Sequence, residues 1–313
     1  MSNNPNKIDK ANTRPKIKFL VPLDGSAMAE SVLDTVELFA GCFHADVMLL
    51  HIIEKNPPAE IHGQKHLRDI PEAEEYLKKT GVRLEKAGIK VEYHVHPNKE
   101  GDVAQSIVQH AEETNPGLIL ICTHGRGLFH GILIGSIPQK VLQKGSWPIL
   151  LIPPAGDETK RLKLRKILVP LDGSHHHERS LDWAVPIACA FKAELYLTLV
   201  IPTVSGLSGE EAVPGRFLPG ATRAILDLAQ EEAAEYLRKI AAGCGRGELP
   251  IKTSVLRGDA VPKVIEMAEE IDADLIVMTS HGRAGIDALL SASVAPRIAG
   301  KAARPILMVR LDK

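Results

Sequence analysis

Lys18-Phe-Leu-Val-Pro-Leu-Asp-Gly-Ser26 and Lys166-Ile-Leu-Val-Pro-Leu-Asp-Gly-Ser174 are one motif written twice, 148 residues apart. A run of apolar residues ending in Asp-Gly-Ser reads as a buried strand that feeds a tight turn and a helix start. Its recurrence makes the chain a tandem duplication. A second pair of stretches confirms the repeat: Leu118-Ile-Leu-Ile-Cys-Thr-His-Gly-Arg126 returns as Leu275-Ile-Val-Met-Thr-Ser-His-Gly-Arg283, now 157 residues on. Pro148-Ile-Leu-Leu-Ile152 and Pro305-Ile-Leu-Met-Val309 keep that longer spacing. The second copy therefore carries a net insertion of nine residues. The Gly- and Pro-bearing stretch Pro202–Gly220 is its expected place, as a long loop.

Between these anchors, apolar runs alternate with amphipathic stretches. In the first copy strands are expected at Ile17–Leu23, Asp46–Ile53, Ile89–His96, Gly117–Cys122 and Pro148–Ile152. Helices are expected at Ala27–Phe39, Glu72–Lys86, Asp102–Glu112 and Ser136–Gln143. The second copy repeats the order with strands near Lys166–Leu171, Glu194–Ile201, Ile251–Leu256, Asp274–Thr279 and Pro305–Val309, and with a longer second helix at about Ala221–Ala242. Near-continuous apolar strands separated by amphipathic helices mean a parallel sheet covered on both faces. The expected fold is α/β: two tandem doubly wound domains, 16–154 and 165–313, each built on a five-stranded parallel sheet. The Pro-Pro pair 153–154 and a charge-rich run place the linker at 155–164.

Composition narrows the function classes. A formal net charge of −1 over 313 residues argues against a nucleic-acid binder, which needs a basic surplus. No apolar run is long enough to span a bilayer, and Met1–Lys16 lacks the apolar core of a secretory signal. Cys42, Cys122, Cys189 and Cys244 form no CxxC pair and read as reduced thiols of a cytoplasmic protein.

In an open parallel sheet, ligands bind beyond the C-terminal strand ends, where the strand order reverses. The loop after the fourth strand, Cys122-Thr-His-Gly-Arg-Gly-Leu-Phe-His-Gly-Ile-Leu-Ile-Gly-Ser136, lies there. Its glycines admit close ligand approach, and Gly135-Ser136 opens a helix whose free N–H groups suit a phosphate. The same glycines also serve as plain turn residues. No Walker lysine is present, and no GxGxxG follows the first strand, so neither a P-loop nor a standard dinucleotide site fits. Asp24 and Asp172 read either as helix caps or as acceptors for ribose or adenine. Arg126 and Arg283 read either as phosphate partners or as solvated side chains.

The histidines suggest metal less than their number implies. His175-His-His177 reads as an exposed polar loop, because consecutive side chains rarely converge on one ion. His94 and His96 share a strand face without a third ligand, and His51 reads as a hydrogen-bonded core residue. His124 and His281 belong to a recurring turn. No nucleophile elbow is present and no general base stands out, so a resident metal and an enzymatic role are not expected.

The V-P-x-D-G-S motif, the T-H-G-R motif and the Gly-x2-Gly-x9-Gly-Ser spacing together resemble the universal stress protein family across both halves. That resemblance implies an adenine-nucleotide-binding fold, ATP as cofactor with Mg²⁺ as its counterion, a regulatory role with at most slow hydrolysis, and dimer formation. In two fused copies the dimer becomes an internal pseudo-dimer, with a further homodimer as an added level. Carried over by position, Asp24 and Ile52 would flank adenine and ribose, and Gly125, Gly135 and Ser136 would surround the phosphates, with Cys122 and Arg126 as the other members of this nucleotide site. The matching second set is Asp172, Val200, Thr279, Gly282, Arg283 and Ser293. Cys122 and Thr279 replace the family's first loop glycine, and Ala292 replaces the third, which Gly135 retains. The first copy is therefore the expected nucleotide site. The alternative is a non-nucleotide scaffold or apolar-ligand binder that uses 202–220, with Val204, Leu207, Val213, Phe217 and Leu218.

Overall fold

The computed structural model describes residues 17–55, 60–61, 64–97, 101–123, 134–154, 163–203, 218–244, 249–280 and 294–311. The first half runs β1 (Lys18–Pro22), α1 (Ala27–Glu30), α2 (Leu33–Phe43), β2 (Asp46–Ile53), a small hairpin of β3 (Glu60–Ile61) and β4 (Gln64–Lys65), and α3 (Ile70–Lys86). It continues with β5 (Val91–Pro97), α4 (Val103–Thr114), β6 (Leu118–Cys122), α5 (Ser136–Lys144) and β7 (Ile149–Ile152). The second half runs β8 (Lys166–Leu171), α6 (Leu181–Phe191), β9 (Glu194–Ile201), α7 (Pro219–Cys244), β10 (Ile251–Arg257), α8 (Ala260–Glu270), β11 (Leu275–Ser280), α9 (Val294–Ala299) and β12 (Ile306–Arg310).

Each half is a five-stranded parallel sheet, as expected, but the two halves share one ladder. The strand order is β10-β9-β8-β11-β12-β7-β6-β1-β2-β5. Every pairing within a half is parallel, and the single junction between halves, β12 with β7, is antiparallel. Met308 faces Ile149 and Ile306 faces Leu151 across that junction. Strand order reverses between β1 and β6, and again between β8 and β11, which fixes the two places where the fold opens a crevice.

Alternate residues of these strands enter two cores. Phe19, Val21, Leu49 and Leu120 lie on the face covered by α2 and α3, and Ile167, Val169 and Leu197 continue that face under α6 and α7. Leu20, Leu50, Ile121, Ile276 and Met308 lie on the opposite face, under α4, α5, α8 and α9. Both cores run unbroken from one half into the other. On the first face, α2 meets α6 through aromatic rings: Phe39 lies 6.2 Å from Phe191, and Phe43 lies 5.9 Å from Trp183. Such pairs add to the burial of large rings.

Two local features depart from the sequence reading. The helix expected over Ala27–Phe39 is broken at Ser31-Val32 and runs on to Phe43. Ser26 caps its first turn through the Ala29 N–H, and the Ser31 hydroxyl donates to the Met28 carbonyl, drawing off an acceptor the helix would use. The nine-residue insertion is also elsewhere. The segments joining β2 to α3 and β9 to α7 are nearly equal in length, whereas α3 has 17 residues and α7 has 26. The helix absorbs the insertion, and its first turns leave Ile225 and Leu228 exposed. Residues 204–217 of the expected long loop lie outside the described residues, while Pro219 and Gly220 belong to α7.

A third histidine joins the pair expected on one strand face. His110 of α4 sits with its ring 5.0 Å from that of His94 and 6.3 Å from that of His96, and its Nε2 is 3.1 Å from Met48 Sδ. Among the described residues, no three His, Cys, Asp or Glu side chains are grouped to hold a metal ion. No helix among them is long and apolar enough to cross a membrane.

Two predictions follow from this packing. Phe39 is fully buried beside Phe43 and Phe191, so Phe39→Ala should lower the unfolding free energy by about 3–5 kcal/mol, read from urea denaturation. Burial, with His94 next in weight, holds the His110 ring below the ordinary imidazole range, and burial does the same at His51. The fold thus favours the neutral ring at both positions, while the unfolded chain takes up protons near pH 6.5. Stability should be full above that pH and fall on acidification below it. The melting temperature of His110→Leu should fall less between pH 7.5 and 5.5, with His51 supplying the remaining slope.

Candidate functional site

The crevice of the first half opens where β1 ends in Leu23-Asp-Gly-Ser26. Gly25 adopts φ +91°, a left-handed turn that glycine takes without strain. Asp24 Oδ1 accepts from the Ser26 N–H at 2.9 Å and from its hydroxyl at 2.6 Å. Ser26, not Asp24, is therefore the helix cap, and the aspartate braces the turn. The second half repeats the turn with Gly173 at φ +86° and Asp172 Oδ1 accepting from the Ser174 N–H at 2.9 Å.

Each crevice holds a cavity lined by equivalent positions of the repeat. In the first half Asp24, Ile52 and Cys122 line it, together with Ile107 of α4 and Ile137 of the first turn of α5. Its volume is about 50 Å³. In the second half Asp172, Val200 and Thr279 line a cavity of about 240 Å³ with Val264 of α8 and Val294 of α9. The structure thus brings together the strand-end members of both expected sets. Gly125 and Arg126 lie outside the described residues, as do Gly282, Arg283, Ala292 and Ser293. His124 and His281 fall there too.

Gly135 caps the nine-residue helix α5, Ser136 begins it, and Ile137 of that first turn lines the first cavity, while Pro138 contributes no N–H. Gly135 has φ −68°, a conformation open to any residue. A glycine here is not required by the backbone, although glycine is among the residues favoured at a helix N-cap. Cys122 is buried at the end of β6, 3.7 Å from the Ser31 hydroxyl, and burial pushes its thiol up to about 11. A neutral thiol at that position adds no charge to the crevice.

Several lining residues escaped the sequence reading. His51 is a hydrogen-bonded core histidine, as expected, with Nδ1 2.8 Å from the Leu23 carbonyl, and it also lines the first cavity. Glu54 and His66 line it as well, although they precede and follow the small hairpin rather than any recognised motif. Leu67 closes over the turn, so near that a methyl added at Gly25 would stand 3.0 Å from its Cδ1. In the second half the three histidines do not form a uniformly exposed loop. His175 points to solvent and bonds Glu178, whereas His177 turns inward, pairs with Asp172 and lines the cavity. The signal was present in the repeat: His177 stands 148 residues after Ala29, which lines the first cavity.

Comparison with known proteins bears on both halves. The model of the universal stress protein family matches residues 17–153 and again 163–310. A universal stress protein of Methanocaldococcus jannaschii is 34% identical over 149 residues, which is 48% of this chain and 84% of that protein. One from Mycolicibacterium smegmatis is 22% identical over 307 residues, covering 93% of this chain and 96% of its own length. The crystal structure of a universal stress protein from Archaeoglobus fulgidus shares the fold over 95% of this chain and 97% of its own, with a TM-score of 0.67 at 19% identity. With the repeated strand-turn motif, the shared crevices and a family match in each half, this chain belongs to the universal stress protein family.

Proposed function

We propose that the protein is a cytoplasmic stress-response regulator that binds an adenine nucleotide, ATP with Mg²⁺ as counterion, chiefly in its first half. The observation that carries this reading is one cavity lined by Asp24, by Ile52 and by Ile137 of the first turn of α5, the helix that Gly135-Ser136 opens. That arrangement offers an acidic acceptor, an apolar wall and free N–H groups in the order a ribose, a base and a phosphate chain would need. Family membership supports the same reading. The role is regulatory: occupancy stabilises the liganded form and biases the packing of the two halves, which act as an internal dimer, with homodimer formation as a further level. Hydrolysis, where it occurs, is slow. In the second half α9 has six residues and His177 engages Asp172, so that crevice is the weaker candidate for phosphate.

One observation favours a second reading for that half. Its cavity, about 240 Å³, is walled by Pro170, Leu171, Val200, Val264, Met278 and Val294 as well as by Asp172, His177 and Thr279, which leaves room for a small, largely apolar ligand.

Freshly purified protein, denatured and analysed by ion exchange, should release adenine nucleotide, and added ATP–Mg²⁺ should raise the melting temperature. Absence of both effects would overturn the nucleotide reading, and a lipid extracted in its place would favour the second. Because the Gly135 backbone accepts any residue, Gly135→Val should keep the fold and weaken ATP binding at least tenfold, about 1.4 kcal/mol, by calorimetry. Ala292→Val should leave that binding unchanged; equal losses in the two variants would refute the preference for the first half.

A further inference from the structure

The two crevices are built alike yet differ in volume, about 50 Å³ in the first half against about 240 Å³ in the second. Both rest on the same strand ends and the same turn, with Gly25 at φ +91° and Gly173 at φ +86°. Side chains at matching lining positions do not account for the difference. The first set has Ile at three positions where the second has Val, and Val103 where the second has Ala260. Ala29 in place of His177 offsets those five extra carbons by a five-membered ring. The first cavity is also lined by His66, from the segment that joins β4 to α3. Among the described residues, no part of the matching connection before α7 lines the second cavity.

That segment crosses the ends of β1 and β2. His66 Nε2 lies 3.5 Å from Glu54 Oε1, just past β2, and Leu67 sits on the turn after β1, within 3.0 Å of where a methyl at Gly25 would stand. At Gly173 the nearest atom among the described residues is Cδ1 of Leu199, a residue of the sheet itself, at 3.9 Å. His66 and Leu67 are both buried. The segment is held at each end. On one side is the β3–β4 hairpin. On the other, Asp69 Oδ1 accepts from the Glu72 N–H at 2.8 Å, and Glu72 Oε2 accepts from the Arg68 N–H at 3.3 Å, which fixes the start of α3.

Sites for small-molecule ligands enclose roughly 300–1,000 Å³, so a nucleotide does not fit beside Asp24 while His66 and Leu67 stay in place. We propose that residues 64–69 form a strap that closes the first crevice, and that nucleotide enters when the strap lifts His66 and Leu67 off the ends of β1 and β2. This rests on the nucleotide reading of the site and adds a regulation to it. Lifting the strap exposes the Leu67 side chain to water, so the open form is the minor one. The apparent affinity then falls in proportion to the open population. Anything that loosens the seat of Leu67 raises affinity without altering Asp24, Ile52 or the start of α5.

Calorimetry with ATP–Mg²⁺ on the full chain separates a strap from a fixed wall. Leu67→Ala removes most of the side chain that seats the strap, so it should tighten ATP binding about tenfold or more. A fixed wall that touches the ligand gives the reverse. Trypsin reads the same movement in the unaltered protein, because Lys65 and Arg68 flank the buried pair. Saturating ATP–Mg²⁺ should speed cleavage after these two residues. Unchanged or weaker ATP binding by folded Leu67→Ala would overturn the strap while leaving the nucleotide reading intact, and so would unchanged or slower cleavage of those bonds. Failure of both folded proteins to bind ATP would instead overturn the nucleotide reading, and this inference with it. Circular dichroism and melting establish that the variant is folded. Leu67→Val, one carbon smaller than leucine, should shift affinity in the same direction by less and serves where the alanine variant does not fold.

Discussion

The antiparallel pairing of β7 with β12 is the constraint on which the rest of the molecule depends. A five-stranded parallel sheet ends in an edge strand whose N–H and C=O groups need partners. Here the last strand of each half supplies them to the other. The result is one ladder of ten strands, with apolar residues on both faces from end to end. Because the junction is antiparallel, the two halves point their strand ends in opposite directions. The crevices at β1/β6 and at β8/β11 therefore open on opposite edges of the sheet.

Much of this was legible in the residues. The apolar runs gave β2, β8 and β9 their full extents, since buried parallel strands carry few polar interruptions. Backbone conformations that side chains rarely adopt also follow the repeat. His44 and Lys192, like Asn115 and Asp272, are left-handed residues at matching positions of the two copies. What the residues did not settle was where the insertion sits. A longer second helix was expected at Ala221–Ala242, yet the extra residues were assigned to the loop before it, because a helix can gain turns without changing its period. The break at Ser31-Val32 depends on a side-chain hydrogen bond that competes locally with the helix, a feature that periodicity does not register.

The candidate site divides in the same way. Asp24, Ile52 and Cys122, with Asp172, Val200 and Thr279, were reachable because they end strands, and the fold fixes where strand ends go. His66 was not, because it belongs to the segment between the hairpin and α3, whose path over the crevice is set by tertiary packing on Gly25. His177 was misread as part of an exposed tract because neighbouring residues in a tight turn face different ways, and only one of the three faces inward. Glycine at 135 was read for close ligand approach, and its φ of −68° shows that the backbone itself does not require it.

Arg310, at the end of β12, is buried and donates to the Gly145 carbonyl of the first half at 3.0 Å and to the Ser280 hydroxyl of its own half at 3.0 Å. Pro153, the residue at the matching place after β7, has no guanidinium to return the contact. In an assembly of two identical chains a substitution appears on both sides of the axis and must suit both. Covalent fusion lifts that restriction and lets the seam acquire a handed lock and key. The tandem arrangement thereby lets one half carry a side chain across the seam that the other half lacks, and frees each crevice to diverge.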